Sequence, residues 1–452
     1  MGVQKNGKKK EKPKKPETVT GITVRGFKSI SEERTVEIRP LTLLAGANSS
    51  GKSSLMQPLL LLKQTLEAPY DPGAIALDGA NVKFTSAYEA LSRNAKKESC
   101  KTFQIGIHTG PDESVTLEYV GRDNGRFEIE SMTWREGSWE QKLFLGMDAK
   151  KISPPLIPEF SKMFESECSV HRNRCFLDMD VSLRRREDEK VKISVKMSFG
   201  WNPSGLIHLP GLRGNPERMY HVAAVGPLFP GRFENYTASV LAHWQENGNQ
   251  KTLDKVSEDL KKLGLTWKVT AKSVNATQVE IQVGRQRTRG DDDDLVNISD
   301  VGLGVSQTLP VVVALHVAQP GQLVYLEQPE IHLHPRAQWK MAEVLAAAAK
   351  RGVRVIAETH SAVLLLGVQT LVAEGKLPPE LVKLHWFTKR PDGVTDIVGA
   401  DLDEAGAFGD WPEDFGDVSL TAESRYLDAA ELQRYKKNHA RKKSEEIEAT
   451  GD

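Results

Sequence analysis

From Val19 the chain reads as three short strands, Gly21 to Arg25, Arg34 to Ile38 and Leu41 to Ala45, the last running apolar into a glycine-rich turn. Leu55, Leu59, Leu62 and Leu66 then recur at helical spacing and predict a helix. Between about residues 100 and 200 polar and apolar positions alternate in short stretches, as in Val115 to Val120, Arg126 to Trp134 and Lys190 to Phe199. That is the pattern of an antiparallel sheet with one wet face. Phe233 to Leu263 predicts two helices split at Gly248, and Trp267 to Lys272 and Gln278 to Val283 predict strands. Residues 322–327 are almost wholly apolar, as in a strand buried on both faces. A helix follows from Pro335, a residue suited to the first turn, to a stop at Gly352. Val353 to Ala357 is a second buried strand and Ser361 opens the next helix, a βαβ rhythm that predicts a parallel central sheet.

Composition narrows the class. At 452 residues the chain has room for about three units, and 39% hydrophobic with 27% charged residues excludes wholesale disorder. The 61 basic and 61 acidic residues cancel, so attraction to nucleic acid or an acidic membrane has to be local. Three scattered cysteines, Cys100, Cys168 and Cys175, form no disulfide framework or zinc ribbon and fit a reducing compartment, with the cytoplasm as the expectation. The apolar runs Leu59 to Leu62 and Leu309 to Ala318 fall short of the roughly 18 residues of a membrane span. The lysine-rich start is followed by no apolar segment, so it is not read as a secretory signal, and Asn6 argues against myristoylation. Nine acids in 401–428 are followed by six bases in 434–443. The expected organisation is a disordered basic tail (1–17), an N-terminal lobe (18–228), a helical and β insertion (229–294), a C-terminal lobe (295–400) and an acidic then basic end (401–452).

The turn after the third strand is Gly46-Ala47-Asn48-Ser49-Ser50-Gly51-Lys52-Ser53, a full match to the phosphate-loop pattern, with a strand before it and a helix after. Glycines let backbone N–H groups curl around an oxyanion, the helix N-terminus adds partial positive charge and Lys52 a full one. The expected ligand is a nucleoside triphosphate, with Ser53 offering a hydroxyl to Mg²⁺.

The next acidic strand end, Glu327, lies about 275 residues downstream. Before it stands Ser299-Asp300-Val301-Gly302-Leu303-Gly304-Val305-Ser306-Gln307, a small-residue turn opening an apolar helix and a second candidate anion site. One phosphate loop and one orphan anion turn suggest that the turn serves the nucleotide of another copy.

Phosphate loop, glycine-serine turn, apolar strand ending in acid, then Glu358-Thr359-His360-Ser361, is the order of ABC-type ATPases. With Ile22-Thr23-Val24-Arg25-Gly26-Phe27-Lys28-Ser29 and Leu326-Glu327-Gln328-Pro329-Glu330-Ile331-His332-Leu333-His334-Pro335, the chain resembles the RecF/SMC-like ATPases of the OLD group. His208-Leu209-Pro210-Gly211-Leu212-Arg213-Gly214 and Gly409-Asp410-Trp411-Pro412 are similar to further motifs of its stand-alone members. The resemblance implies an α/β fold: an ABC-type head with a mixed sheet, an antiparallel β-rich N-terminal lobe and a helical/β insertion. It also implies head-to-tail homodimers or higher homo-oligomers closed over ATP and Mg²⁺, and a separate effector, nuclease or toxin, in bacterial anti-phage defence. Gly46, Asn48, Ser49, Ser50, Gly51, Lys52, Ser53 and Ser54 would hold the phosphates, and Lys28 would line the nucleotide edge. Ser53 and Glu327 would hold the metal. Gly302, Gly304 and Ser306 would reach the partner's γ-phosphate, although the turn departs from the usual Leu-Ser-Gly-Gly-Gln, and His360 would sense it.

After the magnesium-binding acid such enzymes carry a glutamate that polarises water, and here Gln328 stands in its place. An amide cannot accept the proton, and general-base catalysis is worth roughly 10²–10⁴-fold. Either Glu330 takes the role or hydrolysis is slow and ATP acts as a clamp; slow turnover is the preferred reading. His332 and His334 are read as structural, Asp291 to Asp294 as a solvated linker, and Arg184 to Arg186 followed by Glu187 to Glu189 as a charged hairpin. The functional alternative is a DNA-binding repair or recombination ATPase. A self-contained nuclease would need a further domain beyond residue 400, and the long β-rich insert disfavours a transporter engine.

Overall fold

The computed structural model describes residues 18–93, 100–147, 164–185, 190–195, 201–286, 292–409 and part of 424–434. The basic tail, Arg186 to Glu189, Asp291, Asp410 to Pro412 and residues 435–443 of the terminal basic block lie outside the described residues. Met1–Ala407 form one unit and Phe408–Asp452 another, of which Phe408, Gly409 and short helical stretches are described.

Two six-stranded sheets frame the first unit. The N-terminal one is antiparallel, in the order β2 (Arg34–Glu37), β1 (Gly21–Arg25), β4 (Thr102–His108), β5 (Glu113–Gly121), β6 (Phe127–Glu136), β7 (Trp139–Leu143). Its strands alternate as the sequence predicts: Phe127 and Ile129 are buried while Glu128 and Glu130 are exposed. The central sheet runs β11 (Ile207–Leu209), β16 (Leu323–Glu327), β17 (Arg354–Thr359), β3 (Leu41–Gly46), β18 (Val382–Lys389), β19 (Thr395–Ala400). All its neighbours pair in parallel except the edge strand β19. The sheet is therefore mixed, as the resemblance implies, with the parallel centre that the βαβ rhythm predicts. Helix α1 (Lys52–Glu67) is buried on nearly every side. Its Leu55, Leu59 and Leu62 share one core with Ile22, Ile105 and Leu117 of the antiparallel sheet and with Tyr325, Ile356 and Phe387 of the central one. A short α2 (Ala87–Ala90) follows it.

A three-stranded antiparallel sheet joins β8 (Phe164–Asn173), β9 (Phe176–Arg185) and β10 (Lys190–Val195), so Arg184 and Arg185 end a hairpin strand. The predicted pair of helices is α3 (Thr237–Glu246) and α4 (Gln250–Lys262), parted at Gly248 with φ +69°. They pack against β13 (Val269–Asn275), which pairs with β14 (Gln278–Gly284) in a sheet with β12 (Tyr220–His221) and β15 (Leu295–Asn297). The reading of Asp291 to Asp294 as a solvated run needs correction at its end. Asp294 is buried, accepting from Trp267 Nε1 at 2.9 Å and Gln286 N at 3.0 Å.

Helices α5 (Leu303–Val317), α6 (Pro335–Lys350) and α7 (Ala362–Ala373) complete the unit; α5 and α6 touch strands of the central sheet and α7 packs on α6. Pro335 sits in the first turn of α6, His334 caps it through its side chain, and Ser361 Oγ caps α7. Among the described residues no helix is long and apolar enough to cross a membrane.

Strand register decides what meets at the edge. Glu327 pairs with Glu358, Thr359 with Ala45, and Phe387 with Gly46, so the carboxyl ends of four parallel strands open on one rim. Open α/β sheets place ligands at such a rim.

Candidate nucleotide site

The phosphate loop is held in shape by its own contacts. Gly51 precedes α1 at φ +102°, and a Cβ there would lie 2.1 Å from Thr395 Oγ1, so only glycine fits. Thr395 Oγ1 donates to the Ser50 carbonyl at 2.8 Å and lies 2.8 Å from Ser29 Oγ, tying the loop to β19 and to the turn after β1. Lys52 curls back over its own loop, donating to Gly46 O at 3.0 Å, Ala47 O at 2.8 Å and Ser50 Oγ at 3.4 Å. Burial pulls its ammonium below the ordinary value, against the charges of Glu358 and Glu330.

A cleft of about 650 Å³ opens over this loop, walled by residues 48–54, Lys28, Ser29, Gly211, Leu212, Glu327, Gln328, Glu358, His360 and Lys389. Lys28 (φ +48°), Ser49 (φ +60°) and Gln328 (φ +45°) adopt the left-handed conformation that side chains usually avoid. Backbone strain of this kind gathers at binding sites. The Lys28 ammonium sits 4.8 Å from the centre of the Phe84 ring, and burial lowers its pKa.

Glu327 is tied to the cleft wall. Its Oε2 accepts from Gly211 N at 3.0 Å and its Oε1 lies 3.1 Å from Nε2 of the buried His208. The imidazole stacks on Tyr325, with centroids 5.3 Å apart, and its Nδ1 lies 2.9 Å from the Asn81 amide, whose Nδ2 has no partner. With the amide turned so that Nδ2 donates to Nδ1, a neutral imidazole donates Nε2–H to Glu327. Burial lowers the His208 pKa, in keeping with that neutral form. Burial opposes ionisation of Glu327, yet the His208 contact brings its pKa below the ordinary value.

Arg213 joins two parts of the site. Its guanidinium donates to Gln307 O of α5 at 3.1 Å and to Glu327 O at 2.9 Å, while Gln307 Nε2 donates to Gly214 O at 3.0 Å. Burial lowers its pKa to about 10. The segment 208–214, expected from resemblance alone, is thus a strap between the glycine-serine turn and the acid of β16.

Ser53 Oγ donates to Glu358 Oε2 at 3.1 Å, whereas the Glu327 oxygens are engaged by His208 and Gly211. Burial, then the charge of Glu327, pushes the Glu358 pKa up to about 7. Glu330 is absent from the cleft wall. It is buried, its Oε1 accepting from Thr359 Oγ1 at 2.6 Å and His360 N at 3.2 Å, with Oε2 unpartnered. It supports the loop that presents His360, and burial raises its pKa. Burial lowers the pKa of His360, followed by the charge of Lys52.

Gly302, Gly304 and Ser306 do not line this cleft. Gly302 caps α5 with open space where a Cβ would go, and Leu303 is 47% exposed. Ser306 differs from expectation: it is buried and its hydroxyl turns back to Leu303 O at 3.2 Å, leaving backbone N–H groups as the donors at the turn. The Ser299 hydroxyl is buried without a partner.

Residues 18–198 match a family model described as "AAA ATPase domain", and residues 236–366 one described as "AAA domain, putative AbiEii toxin, Type IV TA system". The chain is a P-loop ATPase. Between them the two matches take in the phosphate loop, the glycine-serine turn, Glu327 and His360 of this ATPase. No sequence among the curated proteins matches it. Solved structures similar to it include an SMC head bound to the C-winged helix domain of ScpA (14% identity, 86% of this chain and 99% of that one, TM-score 0.48). Others are the SMC head domain from Thermotoga maritima (11%, 84% and 98%, 0.40) and an Smc head with an extended coiled coil bound to the C-terminal domain of ScpA derived from Pyrococcus furiosus (11%, 85% and 96%, 0.47).

Lys28, Lys52, Ser53, Glu327, Gln328 and His360, all expected from the sequence, stand on one wall. Glu358, Thr395 and Lys389 were not expected at the site. Glu358 belongs to the Glu-Thr-His-Ser quartet, in which the sequence assigns a role to the histidine alone.

Proposed function

We propose that this ATPase closes as a head-to-tail dimer over ATP, each copy offering its phosphate loop to the other's glycine-serine turn, and that the closed state controls a separate effector protein. The supporting observation is the separation of the two anion-binding elements: the cleft holds Lys52 and His360 but none of Gly302, Gly304 and Ser306, while the turn leads with an exposed Leu303. Asn48 to Ser54 and Lys52 would hold the phosphates, and Gly46 would allow the loop's entry. A Cβ on Gly46 would stand 2.2 Å from Phe387 O. Ser53 and Glu327 would hold the magnesium ion, a set of hard oxygen donors that suits it. The metal would neutralise charge on the phosphates. His360 would read the γ-phosphate.

Hydrolysis in this reading is slow. Gln328 can orient water but cannot take its proton, and Glu330 is turned under the cleft rather than into it. An effector released or held on ATP binding, in bacterial anti-phage defence, is what the resemblance to stand-alone OLD-group ATPases supports.

Thermal melting with ATP tests the site. At about 100 times Kd the nucleotide should add about 2.7 kcal/mol of stability. Lys52→Ala should lose the shift, and an undiminished shift would place the ligand elsewhere. Sedimentation with and without ATP tests closure: the wild type should become dimeric with ATP and Gly304→Asp should not. A wild type that stays monomeric at saturating ATP would contradict the dimer.

A further inference from the structure

We propose that Glu358 is a carboxylate of the magnesium site, gripping the nucleotide-bound cation together with Ser53, with Glu327 opposite. This rests on the nucleotide reading above and deepens it.

Ser53, the hydroxyl that the phosphate loop offers to the cation, points at Glu358 Oε2 at 3.1 Å. The other oxygen of Glu358 accepts from the Tyr325 hydroxyl, which fixes the carboxylate plane. Glu358 is 5% exposed yet forms part of the cleft wall. Among the described residues no cationic side chain hydrogen-bonds to it: Lys52 spends its protons on Gly46 O, Ala47 O and Ser50 Oγ. A buried carboxylate is costly unless paired, and strand register sets this one beside a second carboxylate, Glu327. A divalent cation between them satisfies both. Glu327 is held in place by His208 and Gly211, as carboxylates at metal sites commonly are.

Among the described residues no group of three or more histidine, cysteine, aspartate or glutamate side chains could hold a metal ion alone. Ser53 and the two glutamates therefore need phosphate oxygens to complete a six-oxygen shell. The cation should bind with the nucleotide and not before it.

The test uses the full chain, a fluorescent ATP analogue and Mg²⁺ or EDTA, with Mn²⁺ binding followed by electron paramagnetic resonance. In wild type, Mn²⁺ should bind tightly only with the nucleotide present, and Mg²⁺ should raise nucleotide affinity. Glu358→Gln keeps the shape and an acceptor for Tyr325. It should lose the metal-dependent gain by on the order of tenfold while its affinity in EDTA is unchanged or higher. Glu358→Asp keeps the charge on a shorter arm, should lose part of the gain, and serves if the glutamine variant does not fold. A gain within about twofold of wild type in a folded Glu358 variant, with Glu327→Gln abolishing it, would overturn the assignment. If instead wild type binds no nucleotide with or without metal, the nucleotide reading itself fails.

Discussion

His208 and Glu327, 119 positions apart, meet through Nε2 and Oε1 at 3.1 Å, and the histidine is 1% exposed. The contact gives β11 control over the acid at the end of β16. His208→Ala would remove the stack on Tyr325 and leave Asn81 and one Glu327 oxygen without partners. The expected cost is about 1–3 kcal/mol of stability by denaturant titration. ATP turnover should fall with it, and unchanged stability and turnover would mean that the contact holds nothing.

Glu330 carries a second prediction. Glutamine in its place can still accept from Thr359 Oγ1 and His360 N through one oxygen. Glu330→Gln should therefore leave kcat within about threefold of wild type, far less than the roughly 10²–10⁴-fold of a lost general base. Glu330→Ala, which abandons both donors, should cost about 1–3 kcal/mol by thermal melting. A large loss of kcat in the glutamine variant would make Glu330 the base.

Stability should depend on His385. Burial lowers its pKa to about 4, and its Nε2 lies 2.8 Å from the Glu37 carbonyl. Between its unfolded value of about 6.5 and about 4, the unfolded chain binds a proton that the folded chain does not, so its contribution to stability rises with pH across that window. Acidification from about pH 6.5 to 4 should remove up to about 3 kcal/mol at this position. His385→Gln should flatten that part of the pH–stability curve. An unaltered curve would mean that His385 protonates freely in the folded chain.

What the sequence made legible was local. The phosphate loop, the helices parted at Gly248 and the run through β16 into α6 declare themselves within windows of twenty residues or so, because turn chemistry and periodicity act over that range. The hairpin of β18 and β19 escaped notice, although it places Thr395 under the phosphate loop and Lys389 at the cleft. Its contact with Ser50 spans 345 positions, and Ser53 meets Glu358 across 305; no spacing rule reaches that far. The reading of Glu330 as a possible base failed to anticipate the left-handed backbone at Gln328 and His332, a pair of turns by which residues 328–333 leave the strand direction, with Glu330 between them buried under the cleft. Ser306 faces inward for a related reason: the first turn of α5 offers its hydroxyl a carbonyl at Leu303.

The most direct test of the shared nucleotide is complementation. Lys52→Ala breaks a phosphate loop and leaves the turn intact; Gly304→Asp sets a negative charge at the turn and leaves the loop intact. A Cβ at Gly304 would stand in ordinary contact distance, 3.4 Å from its nearest neighbour, the Leu265 side chain. Each variant alone should be inactive. Mixed in equal amounts and allowed to exchange, half the dimers are mixed and each holds one whole site, so steady-state ATP turnover should recover to about a quarter of wild type. No recovery from a mixture whose subunits demonstrably exchange, or full activity in Gly304→Asp alone, would contradict two copies sharing one ATP.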